Sequence, residues 1–551
     1  VSVTFPTPDP VDFLVLGAGA AGGVIAKELS TAGFTVVVLE QGPYLREKDY
    51  THDEIKYTFQ PGLTNDPKTQ PITYRKSEAE TAKPIKAIEY GRQVGGGSVH
   101  FTANYWRFHE SDFHERSLFG EVSGAELADW PIKYADLEPY YTKAEYDLGI
   151  SGLAGANPFE GPRSKPYPLP PMPVKSSGAL FDRATKKLGL HPFPAPVAIL
   201  SQPYRGRAAC VNCGFCESFG CEMRAKSSTL VSVIPVAEKT GRCEIRPNSY
   251  VRKVETDDNG RATGAIYFDA NRREVYQRAK AVFVCANGAE TPKLLLLSKS
   301  KRFPHGLANS SGIVGKYLMW DNGGEAQGLF EHPLNEYKGI QVTRLIHDYY
   351  AADPKRGFYG GGGIDARFDF YPAGFALHGL PPDAPKWGSE YKKLFETYFT
   401  RTMSVLAHTS SLAQAKNSIT LDPDTKDAWG LPAIRVTFEN HPDDEATLKW
   451  VMSKQIEVLQ AAGAQKVWHG SLALEDNMPS RHLMGTCRMG NDPKSSVVNA
   501  FSRTHDVPNL FLVDGSNFVT AARQQPTATI QALAYRAAEY AVQAAKRGEL
   551  S

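Results

Sequence analysis

Along the first forty residues the apolar positions come in two short unbroken runs, Phe13 to Leu16 and Thr35 to Leu39. Between them, GAGAAGGVIAKELSTAG opens on glycines and continues with helical spacing of apolar residues. Continuous apolar runs bounded by glycine predict strands buried on both faces, so this stretch reads as strand, tight turn, helix and strand within about thirty residues. That is the unit from which parallel, doubly wound sheets are built. Further along, Gly339 to Leu345 and Ala433 to Phe438 alternate in the manner of half-buried strands, which points to a separate, partly antiparallel layer in the middle of the chain. The end returns to α/β logic: Leu510 to Val513 predicts a strand ending at Asp514-Gly515, and Pro526 starts an Ala-rich helix that stops before Gly548. Seven prolines between Pro158 and Pro173 block helix and central strand alike and predict an extended surface connection, and Gly360 to Gly363 with Pro381, Pro382 and Pro385 marks a second loop-rich zone.

Composition narrows the class. The 551 residues exceed two average domains, and 42% hydrophobic with 22% charged residues is ordinary for a globular protein, so disorder and fibrous structure are excluded. A net charge of +2 argues against nucleic acid as a partner. The densest leucine run, Leu294 to Leu297, falls far short of the roughly 18 apolar residues that a membrane span needs. The opening VSVTFPTPDPVD has no basic stretch followed by an apolar one, so no signal peptide is expected in this chain.

Gly17, Gly19 and Gly22 form G-x-G-x-x-G directly after a strand and at the start of a helix, with Glu40 eighteen residues beyond Gly22 at the end of the next strand. The glycines permit the turn, the approach of a pyrophosphate and the packing of helix on strand, and the helix N-terminus faces the phosphates. Glu40 would accept both ribose hydroxyls and repel a 2′-phosphate, which disfavours NADP; the fingerprint alone does not separate NAD from FAD. A second cluster, Gly91-Arg92-Gln93-Val94-Gly95-Gly96-Gly97-Ser98, marks backbone passing close to something bulky, with a plain loop as the alternative.

Taken with Trp130-Pro131 through Leu137-Glu138-Pro139-Tyr140-Tyr141, Asn287-Gly288 to Thr291-Pro292, and the terminal HLMGTCRMG and PNLFLVDGSNFVT, the chain resembles the glucose-methanol-choline (GMC) oxidoreductase family over nearly its whole length. GGGSVHFTANYWRF and a mid-chain cysteine cluster are most similar to the bacterial membrane-associated sugar dehydrogenase branch: the FAD glucose, gluconate, fructose and glucoside 3-dehydrogenase subunits. The resemblance implies a Rossmann-like FAD-binding domain (1–320 and 476–551, with a Pro-rich connection at 156–178 and a cysteine loop near 205–225). It implies a second, substrate-binding domain on a mostly antiparallel sheet (321–475). It implies FAD, with Gly95, Gly96, Gly97 and Ser98 against the isoalloxazine and Asp514-Gly515 near the pyrophosphate or ribityl chain. His100 could touch flavin or substrate or serve as a structural hydrogen-bonder.

Cys210, Cys213, Cys216 and Cys221 read C-x2-C-x2-C-x4-C, close to the ferredoxin-type run, and suit an iron-sulfur cluster better than zinc or disulfides. The similar dehydrogenases carry a 3Fe-4S cluster on three cysteines, so a 3Fe-4S cluster with Cys213 spare and a 4Fe-4S cluster both stay open. Cys243, Cys285 and Cys487 read as buried small residues.

Alcohol oxidation by a flavin needs a base for the hydroxyl proton while hydride leaves carbon. The family's base aligns with His482 in RHLMGTCRMG, and its second catalytic position, usually His or Asn, with Gln525 in QQPTATIQ, a departure that can both donate and accept. Arg523 and Gln524 are candidates for lining a sugar site, with an exposed loop as the alternative. The expectation is an FAD-dependent sugar dehydrogenase that oxidises a glucose or glucoside ring hydroxyl, C3 being the leading position, and passes electrons through the cluster to a cytochrome or quinone. In the similar enzymes a small partner subunit carries the export signal, so the expected location is periplasmic, with cytoplasmic as the alternative. The rivals are an oxygen-using oxidase, a non-redox FAD lyase and a non-enzymatic electron carrier.

Overall fold

The computed structural model describes residues 3–86, 88–469 and 481–550, so the expected domain boundary at 475/476 lies outside the described residues. Three sheets organise it. In the first, the strands Cys243–Arg246, Val36–Leu39, Val11–Leu16, Glu274–Val284 and Leu510–Leu512 run parallel. The antiparallel strands Ala262–Phe268 and Tyr250–Thr256 extend this sheet beyond Glu274–Val284. Val36 to Leu39 are all buried, as the unbroken apolar run requires of a strand covered on both faces. The helix Ala20–Thr31 covers the sheet and packs on the C-terminal helix Thr527–Lys546, whose alanines let the two axes come close.

The second sheet has six strands in the order Lys466–His469, Asp321–Leu329, Thr402–Ser410, Gly362–Arg367, Arg344–Ile346 and Phe193–Pro194, all antiparallel. One face is apolar: Ala326, Val405, Ala407, Ile364 and Ala366 pack against Val451, Val458 and Leu459 of the helix Pro442–Ala461. The opposite face carries Asp321, Glu325, Gln327, Asp365, Arg367, Ser404 and His408, all at alternating positions. A third sheet joins Ser418–Lys426 and Pro432–Thr437 to Ile72–Arg75 and Lys83–Ile85, so it draws strands from both halves of the chain.

Gly339 to Leu345, which alternates like a strand, pairs as one only from Arg344. Its earlier backbone groups are taken by loops: Gly339 N donates to Asn212 O at 3.1 Å, and Lys175 Nζ donates to Ile340 O at 2.9 Å. Residues 158–173 form neither helix nor strand and make an isolated bridge from Leu169 to Ser151. Among the described residues no helix is long and apolar enough to cross a membrane.

Candidate active site

The two glycine loops interlock backbone on backbone. A Cβ on Gly22 would stand 1.8 Å from Gly17 O, and one on Gly96, whose φ is +51°, would stand 2.7 Å from Gly19 Cα. Ser98 spends its hydroxyl holding this arrangement, donating to Gly95 O at 2.6 Å and accepting from Thr229 N at 3.2 Å. Gly97 is exposed with no atom within 4 Å of its Cβ position, so the loop presents a bare backbone face to a ligand. Glu40 is buried and accepts from Ala18 N and Gly42 N, both at 2.9 Å, which fixes its carboxylate beside the fingerprint turn. Burial pushes its pKa up to about 7. Asp514 accepts from Thr291 Oγ1 at 2.6 Å and from Ser516 N at 2.8 Å. The helix from Ala20 opens on Gly19 without a side-chain cap, leaving its N–H groups for an anion. Side-chain-free backbone, a helix N-terminus and a buried carboxylate for ribose hydroxyls form a donor and acceptor set that fits a dinucleotide.

The HLMGTCRMG segment is laced to this cradle. Gly485 N donates to Gly515 O at 3.0 Å, Cys487 N to Ser516 O at 2.7 Å and Met489 N to Asn517 O at 3.0 Å. These bonds carry His482 to the cradle's edge, where it adopts a left-handed backbone, φ +52°, and its Nδ1 meets Asp321 Oδ1 at 2.6 Å. A histidine donating Nδ1–H to a carboxylate presents a bare Nε2, the form a general base requires. Gln525 is buried and its Nε2 lies 2.8 Å from His408 Nδ1; His408 Nε2 lies 2.6 Å from Asp365 Oδ2, and Arg367 pairs with the same carboxylate. The edge of Trp106 abuts the His408 ring, with centroids 5.1 Å apart. Asp321, Asp365 and His408 escaped sequence reasoning; the one signal available was polar residues at alternate positions of strands whose other face is apolar.

Arg523 is not an exposed loop residue. It is 1% exposed, and its guanidinium pairs with Glu115 at 2.6 Å and Asp112 at 3.5 Å, so it braces the interior. Gln524 lines a small cleft with Trp106, His109, Asn157 and His347, and donates to Arg107 O. His100 is half-buried with its Nε2 enclosed and unpartnered, and desolvation, with Arg481 and Lys226 nearby, holds its pKa down at about 3. Its backbone joins two loops: His100 N donates to Gly97 O at 3.2 Å and its carbonyl accepts from Ser218 N at 2.7 Å.

That second loop carries the four cysteines, which form no disulfide among the described residues, with Cys213 exposed and Cys216 buried. Burial, with the neighbouring thiols adding to it, pushes the pKa of Cys216 up to about 12. Lys226 Nζ ties the loop down by donating to Cys216 O at 2.5 Å, Phe219 O at 2.8 Å and Phe101 O at 3.2 Å. Among the described residues no three side chains close on one point as ligands of a single ion would. An iron-sulfur cluster distributes its thiolates over several irons and does not need that convergence.

A carboxylate-held histidine thus stands between a dinucleotide cradle and a polar sheet face. The chain belongs to the GMC oxidoreductase family, whose two models match residues 11–319 and 413–534. It is 36% identical over 540 residues to 2-methyl-1,2-propanediol dehydrogenase from Mycolicibacterium austroafricanum, covering 97% of this chain and 95% of that one. It is 30% identical to the gluconate 2-dehydrogenase flavoprotein of Pantoea cypripedii, covering 96% and 93%. The fold also matches a formate oxidase from Aspergillus oryzae RIB40 studied for the modification of its FAD, with TM-score 0.67, 15% identity and coverage of 99% and 100%.

Proposed function

We propose that this oxidoreductase is an FAD-dependent dehydrogenase that converts a secondary hydroxyl of a sugar or glycoside, C3 of a glucoside foremost, to a carbonyl. The observation that carries the reading is His482 at the edge of the cradle with its Nδ1 on Asp321. Gly17, Gly19, Gly22 and the helix behind them would hold the pyrophosphate, Glu40 the ribose, and Gly95 to Ser98 the ring system. FAD, when bound, accepts the hydride lost from the carbinol carbon. His482 Nε2 takes the hydroxyl proton, Asp321 steadies the imidazolium that results, and the polar sheet face orients the ring. The two dehydrogenase relatives, one named for a diol and one for a sugar acid, support a polyhydroxylated substrate.

Cys210, Cys213, Cys216 and Cys221 would hold an iron-sulfur cluster, which supplies single-electron transfer to an external acceptor. The reading is supported by the hydrogen bonds that join the cysteine loop to the glycine loop through His100 and Lys226, and by the exposure of Cys213 beside Val211, which is 56% exposed, where a partner subunit or cytochrome would dock. Co-export with such a partner would place the enzyme in the periplasm.

The test is an anaerobic visible spectrum before and after methyl glucoside, with iron and acid-labile sulfide quantified on the same sample. Bleached flavin bands with stoichiometric iron are expected. Bleaching without iron removes the cluster from the proposal, and a flavin that no sugar or alcohol bleaches overturns the dehydrogenase reading.

A further inference from the structure

Two side chains at the candidate site, His482 and Gln525, are fixed by hydrogen bonds behind them. His408 Nε2 lies 2.6 Å from Asp365 Oδ2, a contact that requires N–H on that nitrogen. Arg367 pairs with the same Asp365 carboxylate and, at 2.8 Å, with Asp369. With its hydrogen on Nε2 for Asp365, the neutral ring of His408, which is 2% exposed, has a bare Nδ1. Only the NH2 of Gln525 can then satisfy the 2.8 Å contact to His408 Nδ1. That turns the Gln525 carbonyl oxygen away from His408, where it is buried and without a partner.

His482 is set in the same sense. Its Nδ1 donates to Asp321, and its Nε2 makes no hydrogen bond among the described residues. The supports of both side chains stand on one face of one strand pair: Asp321 is opposite Ser410, and Gly323 is opposite His408. Asp321 and His408 are therefore diagonal neighbours, with Cα atoms roughly 7–8 Å apart. Gly323 adds no side chain over His408.

A single hydroxyl has one proton and can serve only one of two acceptors. We propose that the site recognises a vicinal diol: one hydroxyl gives its proton to His482 Nε2 while its neighbour donates to Gln525 Oε1, and His408 with Asp365 is the positioning pair that sets Gln525 as an acceptor. The proposal rests on the dehydrogenase reading and narrows its substrate class to alcohols with an adjacent free hydroxyl. Proton and electron balance is that of the parent reaction, because the second hydroxyl is bound and unchanged.

The test uses the purified holoenzyme and anaerobic stopped-flow bleaching of its flavin by trans-1,2-cyclohexanediol, cyclohexanol and trans-2-methoxycyclohexanol. An unsatisfied buried acceptor costs about 1–3 kcal/mol, so the diol should exceed cyclohexanol by roughly 10- to 100-fold in second-order rate, largely through its saturation constant. The methyl ether, which sets an acceptor against an acceptor, should be the poorest. Replacing His408 by Asn, whose carbonyl stands close to the Nδ1 position, should retain the preference; His408→Phe should bring the diol-to-alcohol ratio near one. Histidine ring 15N correlations, with the His408 signal identified by its loss in His408→Asn, should show Nε2 protonated and Nδ1 bare. Equal bleaching by the three compounds, or a His408 ring protonated on Nδ1, overturns the proposal. A flavin that none of them nor methyl glucoside bleaches overturns the dehydrogenase reading itself, while the ring-nitrogen signal still decides the orientation of Gln525.

Discussion

Removing the carboxylate behind His482 isolates what that side chain contributes. In Asp321→Ala the imidazole loses a 2.6 Å hydrogen bond to an ionised partner. Such bonds contribute about 1.5–3 kcal/mol, and the bond matters more once the ring is positive, as it becomes when it takes the substrate proton. His482 is 33% exposed at its side chain, so water replaces part of the lost interaction and the low end of that range applies. A second contribution comes from the backbone: a non-glycine residue at φ +52° sits in a sparsely populated region that costs about 1–3 kcal/mol and persists only when its surroundings fix it. Without Asp321 the ring is freer to leave its working orientation. Together these give a loss of about 1.5–3 kcal/mol in the transition state, or roughly a 10- to 150-fold slower flavin reduction at saturating substrate. The loss should stay below the roughly 10²–10⁴-fold cost of removing the base altogether in His482→Ala. Asp321→Asn keeps an acceptor without the charge and should fall between wild type and Asp321→Ala. Anaerobic stopped-flow absorbance near the flavin maximum measures the rate, with flavin content read from the same samples. A rate within threefold of wild type in Asp321→Ala, with flavin retained, would refute the assignment of Asp321 as the partner of a catalytic base.

Glu40 gives a pH dependence whose sign follows from its burial. Its carboxyl sits at about 7 in the protein without ligand. The ribose hydroxyls need the ionised form, so FAD affinity should rise about tenfold per pH unit below that value and level off above it, and Glu40→Gln should flatten the profile. Equilibrium titration of deflavinated protein between pH 5 and 9 measures this, and a flat wild-type curve would count against Glu40 as a ribose acceptor. Gly22→Ala places a methyl 1.8 Å from Gly17 O, a backbone atom that cannot step aside; the variant should purify with little flavin or fail to fold, and full flavin occupancy would refute the close-packing argument.

The nucleotide cradle was legible because its constraints are local. The glycines of G-x-G-x-x-G constrain one another within six residues, and Glu40 is one strand away, so a linear reading meets all of them together. His482 came from the family resemblance of HLMGTCRMG, and the backbone bonds of that segment are what seat it beside the cradle. Arg523 was not legible, because the acids that bury it, Asp112 and Glu115, lie about four hundred residues earlier. Gly339 to Leu345 had the alternation of a strand, but Lys175 and Asn212 took its backbone groups, and nothing in the segment announces those partners.

The supports of the site were hidden by register. Asp321, Asp365 and His408 stand on three strands and meet only because Gly323 is opposite His408 and Gly363 is opposite the same residue from the other side. Even so, the chain holds a clue that uses no pairing information. Asp321, Glu325 and Gln327 stand on one face of one nine-residue strand, with Gly324, Ala326 and Gly328 on the other. Small residues on one face allow a helix to pack closely, which orients the charged face inward, away from that helix. A sheet that carries carboxylates and amides on a buried face incurs a desolvation cost that hydrogen-bonding partners, in the protein or in a ligand, must offset. Such a face, read beside a dinucleotide fingerprint, points to a polar ligand before any coordinates are known. The register then shows which two of its groups, Asp321 and His408, stand behind His482 and Gln525.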